Sequence, residues 1–444
     1  MAGGTFSKLV GKVRPGTYIN FETSEVNLVG NSERGAVIIP MVGYPYGPAG
    51  EFITIEGGSP DANYTKLGYS VYEAPLLLVK EALKNAKTVI IYIPSQGAKA
   101  TKTVSTPAVT ATAKYGGSRG NDLKFDIVAS AVSGFDVNVY LDSDTVETFE
   151  GLATVGDLKA TGSVWLDFTG TDSTALAAVA AQSLAGGADG SATAQQITTF
   201  LDSAESIPWN TMAFPLTDGS MLAAFKSKIK YLREEVGKYR KGVCSGLAAD
   251  FEGIINVVNG YKLSDGTEVT AEKAVAWAAG ADAGASVTES LTYKAVEDAV
   301  DIIGLKSHAQ AVAAINAGQF FFSFNEKSEV AVEYDINSLT TFGDKAESWR
   351  KNRVLRVLDS LGESIMLNFP PNKYDNNSTG WDVMEGIGKS ILRTYYEEGA
   401  ITDVYYDRDF KVDRNASVGD KTFFNVGIKP VDSAEKLFFT ITTR

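Results

Sequence analysis

Residues 320–361 read FFFSFNEKSEVAVEYDINSLTTFGDKAESWRKNRVLRVLDSL, and the hydrophobic period changes within them. Val330, Val332, Tyr334 and Ile336 alternate with Glu329, Ala331, Glu333 and Asp335, the period of two expected of a half-buried strand. From Lys345 onward the spacing lengthens. Val354, Val357, Leu358 and Leu361 fall on one side of a helix, and Arg350, Lys351, Arg353 and Arg356 spread around the rest. A strand, a turn and a basic amphipathic helix therefore lead into a final region of mixed structure. Nothing in the stretch has a catalytic pattern.

Toward the N-terminus, GAVIIP at 35–40 and TVIIYIP at 88–94 are continuous apolar runs of the kind that form strands covered on both faces. A helix carrying Leu77, Leu78 and Leu83 lies between them, so this is the first piece of an α/β sheet. From about 95 to 205 the composition shifts to Thr, Ala, Ser, Gly and Asp, with short alternating pieces at 124–128 and 136–141. The α/β pattern then resumes with WNTMAFPL at 209–216 and a helix striped by Leu222, Phe225, Ile229, Leu232, Val236 and Tyr239. An alanine-rich helix is expected over 271–285, a second short helix ending at Gly318, and another over 381–398 bearing Ile387, Ile391 and Tyr395. Strands at 401–410, 421–428 and 437–443 complete the chain. The expected fold class is α+β / α/β multidomain: a mixed α/β core, an inserted β-rich domain, a C-terminal α+β domain and extended arms at both termini. The boundaries read as an arm over 1–21, a discontinuous core over 22–98 and 205–344, an insertion over 99–204, a C-terminal domain over 345–431 and an arm over 432–444.

The two arms share a feature. Thr17, Tyr18, Ile19, Asn20 and Phe21 form a short strand behind an Arg14-Pro15-Gly16 turn and have no evident partner in their own chain. Leu437, Phe438, Phe439, Thr440 and Ile441 form an apolar strand that must be covered by its own domain or a neighbour's. Adding either to the sheet edge of another subunit satisfies its backbone groups.

Composition narrows the function classes. The chain of 444 residues has 44% hydrophobic and 21% charged residues, as a folded protein does, and its formal net charge of −13 opposes nucleic-acid binding. One cysteine, Cys244, and one histidine, His308, leave no disulfide, no cysteine-rich or histidine-based metal set and little nucleophilic chemistry, so no cofactor or metal is expected. The glycines of 116–120 are followed by a strand rather than a helix, which argues for a turn instead of a phosphate cradle. Asp142 and Asp144 begin like a calcium loop, but Val146 and Glu147 stand where further loop residues should be. No secretory leader is evident, and no apolar run approaches the ~18 residues of a membrane span.

VEYDINSLTTF at 332–342 and KNRVLRVLDSL at 351–361 resemble the C-terminal region of contractile tail sheath proteins, which jacket myophage tails and phage-tail-like bacteriocins. KVRPGTYINFE at 12–22, SERGAVIIPM at 32–41, AEKAVAWAAGADAGASVTESLTYK at 271–294 and GIKPVDSAEKLFFTITTR at 427–444 resemble the same family in the same order. AKYGGSRGNDLKFDI at 113–127 is similar to the opening of its inserted domain. The resemblance implies a structural protein with no enzymatic activity, stacked as hexameric rings around an inner tail tube. Its arms would add strands to the C-terminal domains of neighbours, at Thr17 to Phe21 and at Leu437 to Ile441. A signal from the baseplate would contract the polymer and drive the tube through an envelope. The implied partners are copies of itself, the tube, baseplate and tail terminator proteins, with no nucleic acid and no membrane insertion. It would be assembled in a bacterial cytoplasm and end in a virion tail or an extracellular tail-like particle. Arg350, Lys351, Arg353 and Arg356 would lie in an inner domain facing the tube. Composition alone also allows a secreted adhesion protein or a carboxylate-based hydrolase.

Overall fold

The computed structural model describes residues 34–443 and the backbone of two short strands, Ala2–Gly4 and Gly16–Tyr18, which pair in parallel. Thr17 and Tyr18 fall in the second of these. Ile19, Asn20 and Phe21 lie outside the described residues.

The central element is a seven-stranded sheet drawn from two separate parts of the chain. Its order is Gln319–Phe320, Ile254–Val257, Lys241–Ser245, Thr211–Phe214, Ala36–Pro40, Thr88–Tyr92 and Phe52–Glu56, with every pair parallel except the last. The apolar runs are explained by helices on both faces. Helices Ala194–Ser203 and Gly219–Glu234 bring Ile197, Phe200, Phe225 and Ile229 to one side. Helices Leu77–Leu83 and Ala271–Gly284 cover the other. Those two helices touch through backbone: a Cβ at Gly280 would stand 2.3 Å from the Ala82 carbonyl oxygen, which is why the alanine-rich pattern carries glycine there.

Between residues 98 and 188 the chain forms two further sheets. One is Thr101–Ser105, Ala108–Ala113 and Leu166–Gly170; the other contains Leu123–Ala129, Phe135–Leu141, Asp144–Leu152 and Val179–Ser183. Phe125, Val137, Val139, Trp165 and Phe168 are buried there. The expected boundary at 204 requires correction. The Ala194–Ser203 helix, assigned by composition to the insertion, packs against the central sheet through Phe200 and Leu201. Ala98 and Ala188 face each other across an isolated antiparallel bridge, so the insertion leaves and re-enters at one point. A variant lacking residues 99–187, with a short turn in their place, is therefore expected to unfold cooperatively in urea, whereas one lacking 99–203 loses that transition.

The opening stretch also departs from its expected form. Its strand is three residues long, Val330–Val332, pairs with Phe322–Phe324, and is buried on both faces. The neighbouring segment covers its other edge, with Tyr293 and Val296 amides donating to the Val332 and Val330 carbonyls. Of the three acids in the alternation, Asp335 is buried too, while Glu333 is half-buried and Glu329 exposed. Beyond it, helices Asn352–Asn368 and Ser378–Glu397 enclose Val357, Leu361, Ile391, Leu392 and Tyr395. Residues 401–410 do not form one strand. The Asp409 carboxylate accepts the Tyr405 amide at 2.7 Å and closes a short helical turn, Tyr406–Asp409, between strands Ile401–Thr402 and Phe410–Val412.

Candidate inter-subunit site

The basic helix turns most of its charge inward. Arg356 is completely buried, with Nη2 3.2 Å from Asp282 Oδ1 and 3.4 Å from Asp335 Oδ2, and it donates to the Glu289 carbonyl. Lys241 Nζ donates to the same Asp282 oxygen at 2.9 Å, and Thr211 Oγ1 to the other. Burial alone would raise the Asp282 carboxyl, but Lys241, Arg356 and Arg34 hold it well below the usual carboxylate range. One turn on, Arg233 grips Asp359 with two hydrogen bonds, at 2.7 and 3.0 Å. The Asn352–Asn368 helix is thus fastened to the central sheet by charge as well as by apolar contact. The expectation that Arg356 faces outward is corrected: amphipathic spacing separates Arg from Val but does not reveal a second apolar body that buries the arginine side too. The sequence did hold a signal for this cluster, since Asp282 is the one acid deep in an alanine- and glycine-rich helix.

Lys351 is buried and also paired. Its ammonium contacts Glu435 and lies 3.3 Å from Asp432. Ser290 and Thr292 hydroxyls donate to Glu435 Oε1 at 2.8 Å, and Arg353 Nη1 donates to Ser433. Burial raises the Glu435 carboxyl, yet the Lys351, Ser290 and Thr292 hydrogen bonds together bring it below its ordinary value. Residues 432–435 are therefore pinned to the central body. Past Lys436 the chain has no such hold. Residues 431–443 contain no regular secondary structure, and Leu437, Phe438, Phe439 and Ile441 are 65%, 92%, 83% and 88% exposed. In the subunit by itself the expected terminal strand is unpaired and uncovered.

The same C-terminal region has open sheet edges. Phe410–Val412 pairs with Phe424–Val426, and Ile401–Thr402 with Lys429–Pro430, each a two-stranded sheet among the described residues. Phe410 seats against the Ser378–Glu397 helix where Gly388 leaves room, since a Cβ there would stand 2.1 Å from the ring. One ribbon thus has a firm base. Val418, Phe423 and Val426 are exposed beside it. Unpaired edges with apolar flanks are templates for a strand from elsewhere.

The remaining candidates are structural. Cys244 is buried in the central sheet and its thiol is pushed up to about 12 by desolvation, so it is no nucleophile. His308 opens the His308–Asn316 helix behind the Ser307 cap and is exposed. The glycine loop and the acidic loop meet each other. Arg119 from the first donates to Asp122 and to Asp142 from the second, and to the Gly68 carbonyl, which latches the insertion to the core.

Comparison with known proteins covers nearly the whole chain. Family models match in order: Tail sheath protein Gp18 domain III N-terminal region over 34–92, Phage tail sheath protein beta-sandwich domain over 95–189, Phage tail sheath protein central domain over 190–338, and Phage tail sheath C-terminal domain over 344–444. The phage-like element PBSX protein XkdK of Bacillus subtilis is 36% identical over 468 aligned residues, 99% of each chain. The crystal structure of a sheath tail protein from Desulfitobacterium hafniense superposes with a TM-score of 0.83 at 37% identity, covering 95% of this chain and 98% of that one. The sheath subunit of the anti-feeding prophage in its contracted state shares the fold, with a TM-score of 0.57 at 12% identity over 98% of this chain and 100% of that one.

Proposed function

This chain belongs to the phage tail sheath protein family, and from that premise we propose that its copies stack as hexameric rings around an inner tail tube and contract to drive the tube through a target envelope. The observation that carries this reading is the C-terminal arm. It is clamped at Glu435, releases four large apolar side chains into solvent, and emerges from a domain with unpaired sheet edges. A segment built that way is completed by a neighbour. The N-terminal strand at Thr17 and Tyr18, which departs from expectation in having one edge paired with Ala2–Gly4 of its own chain, would supply a second link through its other edge. Strand links suit a contractile polymer because they hold through backbone hydrogen bonds while the bodies they join rotate.

Tube, baseplate and tail terminator proteins are the further partners of this reading. Lys351 and Arg356 are already paired within the subunit, so any charge contact to the tube from this stretch falls to Arg350 and Arg353. The role is structural, in a phage tail or an extracellular tail-like particle assembled in a bacterial cytoplasm. The adhesion reading loses its footing with the family match. Purified full-length protein, with and without co-expressed tube protein, is expected to give striated sixfold tubes in negative-stain electron microscopy. Monodisperse single subunits in both preparations would overturn the reading.

A further inference from the structure

One end of the central sheet stays open on the face that helices Ala194–Ser203 and Gly219–Glu234 cover. Phe200 reaches Phe52 and Tyr92, with ring centroids 6.4 and 5.3 Å apart, but Thr54 and Glu56 further along the edge strand are exposed. A trough of about 1100 Å³ lies over this end. Phe52 and Ile90 line it from the sheet, Trp209 from the start of the neighbouring strand, and Met366 and Leu367 from the last turn of the Asn352–Asn368 helix. Met366 and Leu367 are both exposed. Apolar side chains on two sides of one open trough mark a binding surface. The charges that line it are mainly basic: Arg34, Lys87, Lys238 and Arg240, against Glu56 and Glu363. Both acids are engaged, Glu56 by the Thr88 hydroxyl at 2.8 Å and Glu363 by Arg240 at 3.2 Å. In a chain of net charge −13, a trough lined this way selects an occupant that is apolar and acidic.

We propose that the trough is the seat of residues 25–29 of the same chain, EVNLV. Position selects them first. The long described stretch begins at Arg34, and Arg34 itself lines the trough, so Val29 is tethered within five residues of it, about 17 Å of extended chain at most. Chemistry selects them again. Val26, Leu28 and Val29 offer the apolar side chains, and residues 15–33 hold Glu22, Glu25 and Glu33 with no lysine or arginine, the complement of the basic lining. In an extended segment Val26 and Leu28 share one face, and Gly30 gives the chain freedom to turn toward Arg34. On the functional reading above, such a seat fixes the point from which the N-terminal strand at Thr17 and Tyr18 sets out toward a neighbour. An arm of set length with a fixed root reaches one place.

The test is disulfide trapping in the full-length chain, in single subunits at micromolar concentration, with Leu367→Cys combined with Leu28→Cys or with Val26→Cys. Cys244 is buried and takes no part. A tether this short sets a local concentration in the millimolar range, so the bond is expected to form within one chain and its yield to survive dilution of about tenfold. Leu28→Cys with Val132→Cys, an exposed position in the insertion, is expected to stay unlinked. Occupancy has a second readout. Leu367→Cys should alkylate several-fold faster once Val26→Ser and Leu28→Ser are added, because the seat has lost its apolar occupant. No bond to position 367 from either Leu28→Cys or Val26→Cys overturns the proposal, as does an equal yield with Val132→Cys. Linked dimers whose share falls on dilution put a second copy's segment in the trough and overturn the choice of the chain's own. An alkylation rate indifferent to the two serines overturns the apolar seat. Every readout is taken on single subunits, so wild-type protein that never polymerises rejects the functional reading and leaves the trough's occupant decided by the cross-link.

Discussion

A chain ending at Lys436 is expected to fold as the full-length subunit does and to lose polymer assembly. The cut falls after the clamp, so Glu435 keeps Lys351, Ser290 and Thr292, and among the described residues no buried side chain is removed. What disappears is Leu437, Phe438, Phe439 and Ile441, each at least 65% exposed. Their contribution in a neighbour can be weighed. Backbone hydrogen bonds of an added strand give about 0.5–1.5 kcal/mol net each. Ordering the backbone costs about 1–2 kcal/mol per residue. Those two terms roughly offset. The net gain then rests on the apolar side chains, each worth roughly 1.5–3 kcal/mol when fully buried. Loss of about 4 kcal/mol of it corresponds to roughly a thousandfold rise in the concentration needed to assemble. The truncated chain should therefore show an unchanged circular dichroism melting curve and no tubes by electron microscopy. Phe438→Asp with Phe439→Asp in the full-length chain should do the same, because a charged side chain cannot enter the neighbour's core. Tubes of normal striation from either variant would remove the C-terminal arm from the assembly mechanism.

Much of this arrangement could be read from residues. Apolar runs such as GAVIIP and TVIIYIP announce strands covered on both faces, and the stripe from Leu222 to Leu232 announces the helix that covers them. The terminal LFFTI announces a strand in need of a cover, and the subunit by itself leaves it irregular and exposed. What the sequence hid depends on contacts between distant segments. Val330 to Ile336 alternates as though one face met solvent, yet loop 290–296 and strand Phe322–Phe324 cover both sides, and Asp335 is buried because Asn352, Arg356 and the Leu291 amide come to it from elsewhere. Composition placed helix Ala194–Ser203 with the insertion because Thr, Gln and Ser fill its outer face; the three apolar residues that dock it are too few to shift a compositional boundary. The arginine helix misled for a related reason. Periodicity ranks faces by polarity, and it cannot tell a cation facing water from one facing a buried carboxylate.

That buried carboxylate makes the second large prediction. Asp282→Ala should destabilise the subunit by about 3–5 kcal/mol at neutral pH, the cost of leaving buried cations without their anion. Lys241 and Arg356 both rely on it directly, and Arg34 donates to its backbone carbonyl. Urea unfolding followed by tryptophan emission reports on the region, since Trp209 and Trp277 are buried in the same body. The pH dependence has a definite sign. A carboxyl held low in the folded state contributes stability above its unfolded value, about 3.9, and that contribution is lost as pH falls toward the folded value. With Asp282 held well below the carboxylate range, the difference between wild type and Asp282→Ala should be full at pH 5 to 7 and shrink only in stronger acid. A double variant separates charge from packing. Lys241→Met together with Asp282→Leu replaces the closest pair by apolar groups and leaves Arg356 with Asp335, so it should recover most of what Asp282→Ala loses. If Asp282→Ala unfolds at the wild-type urea concentration, the cluster is not what fastens the C-terminal helix to the central sheet.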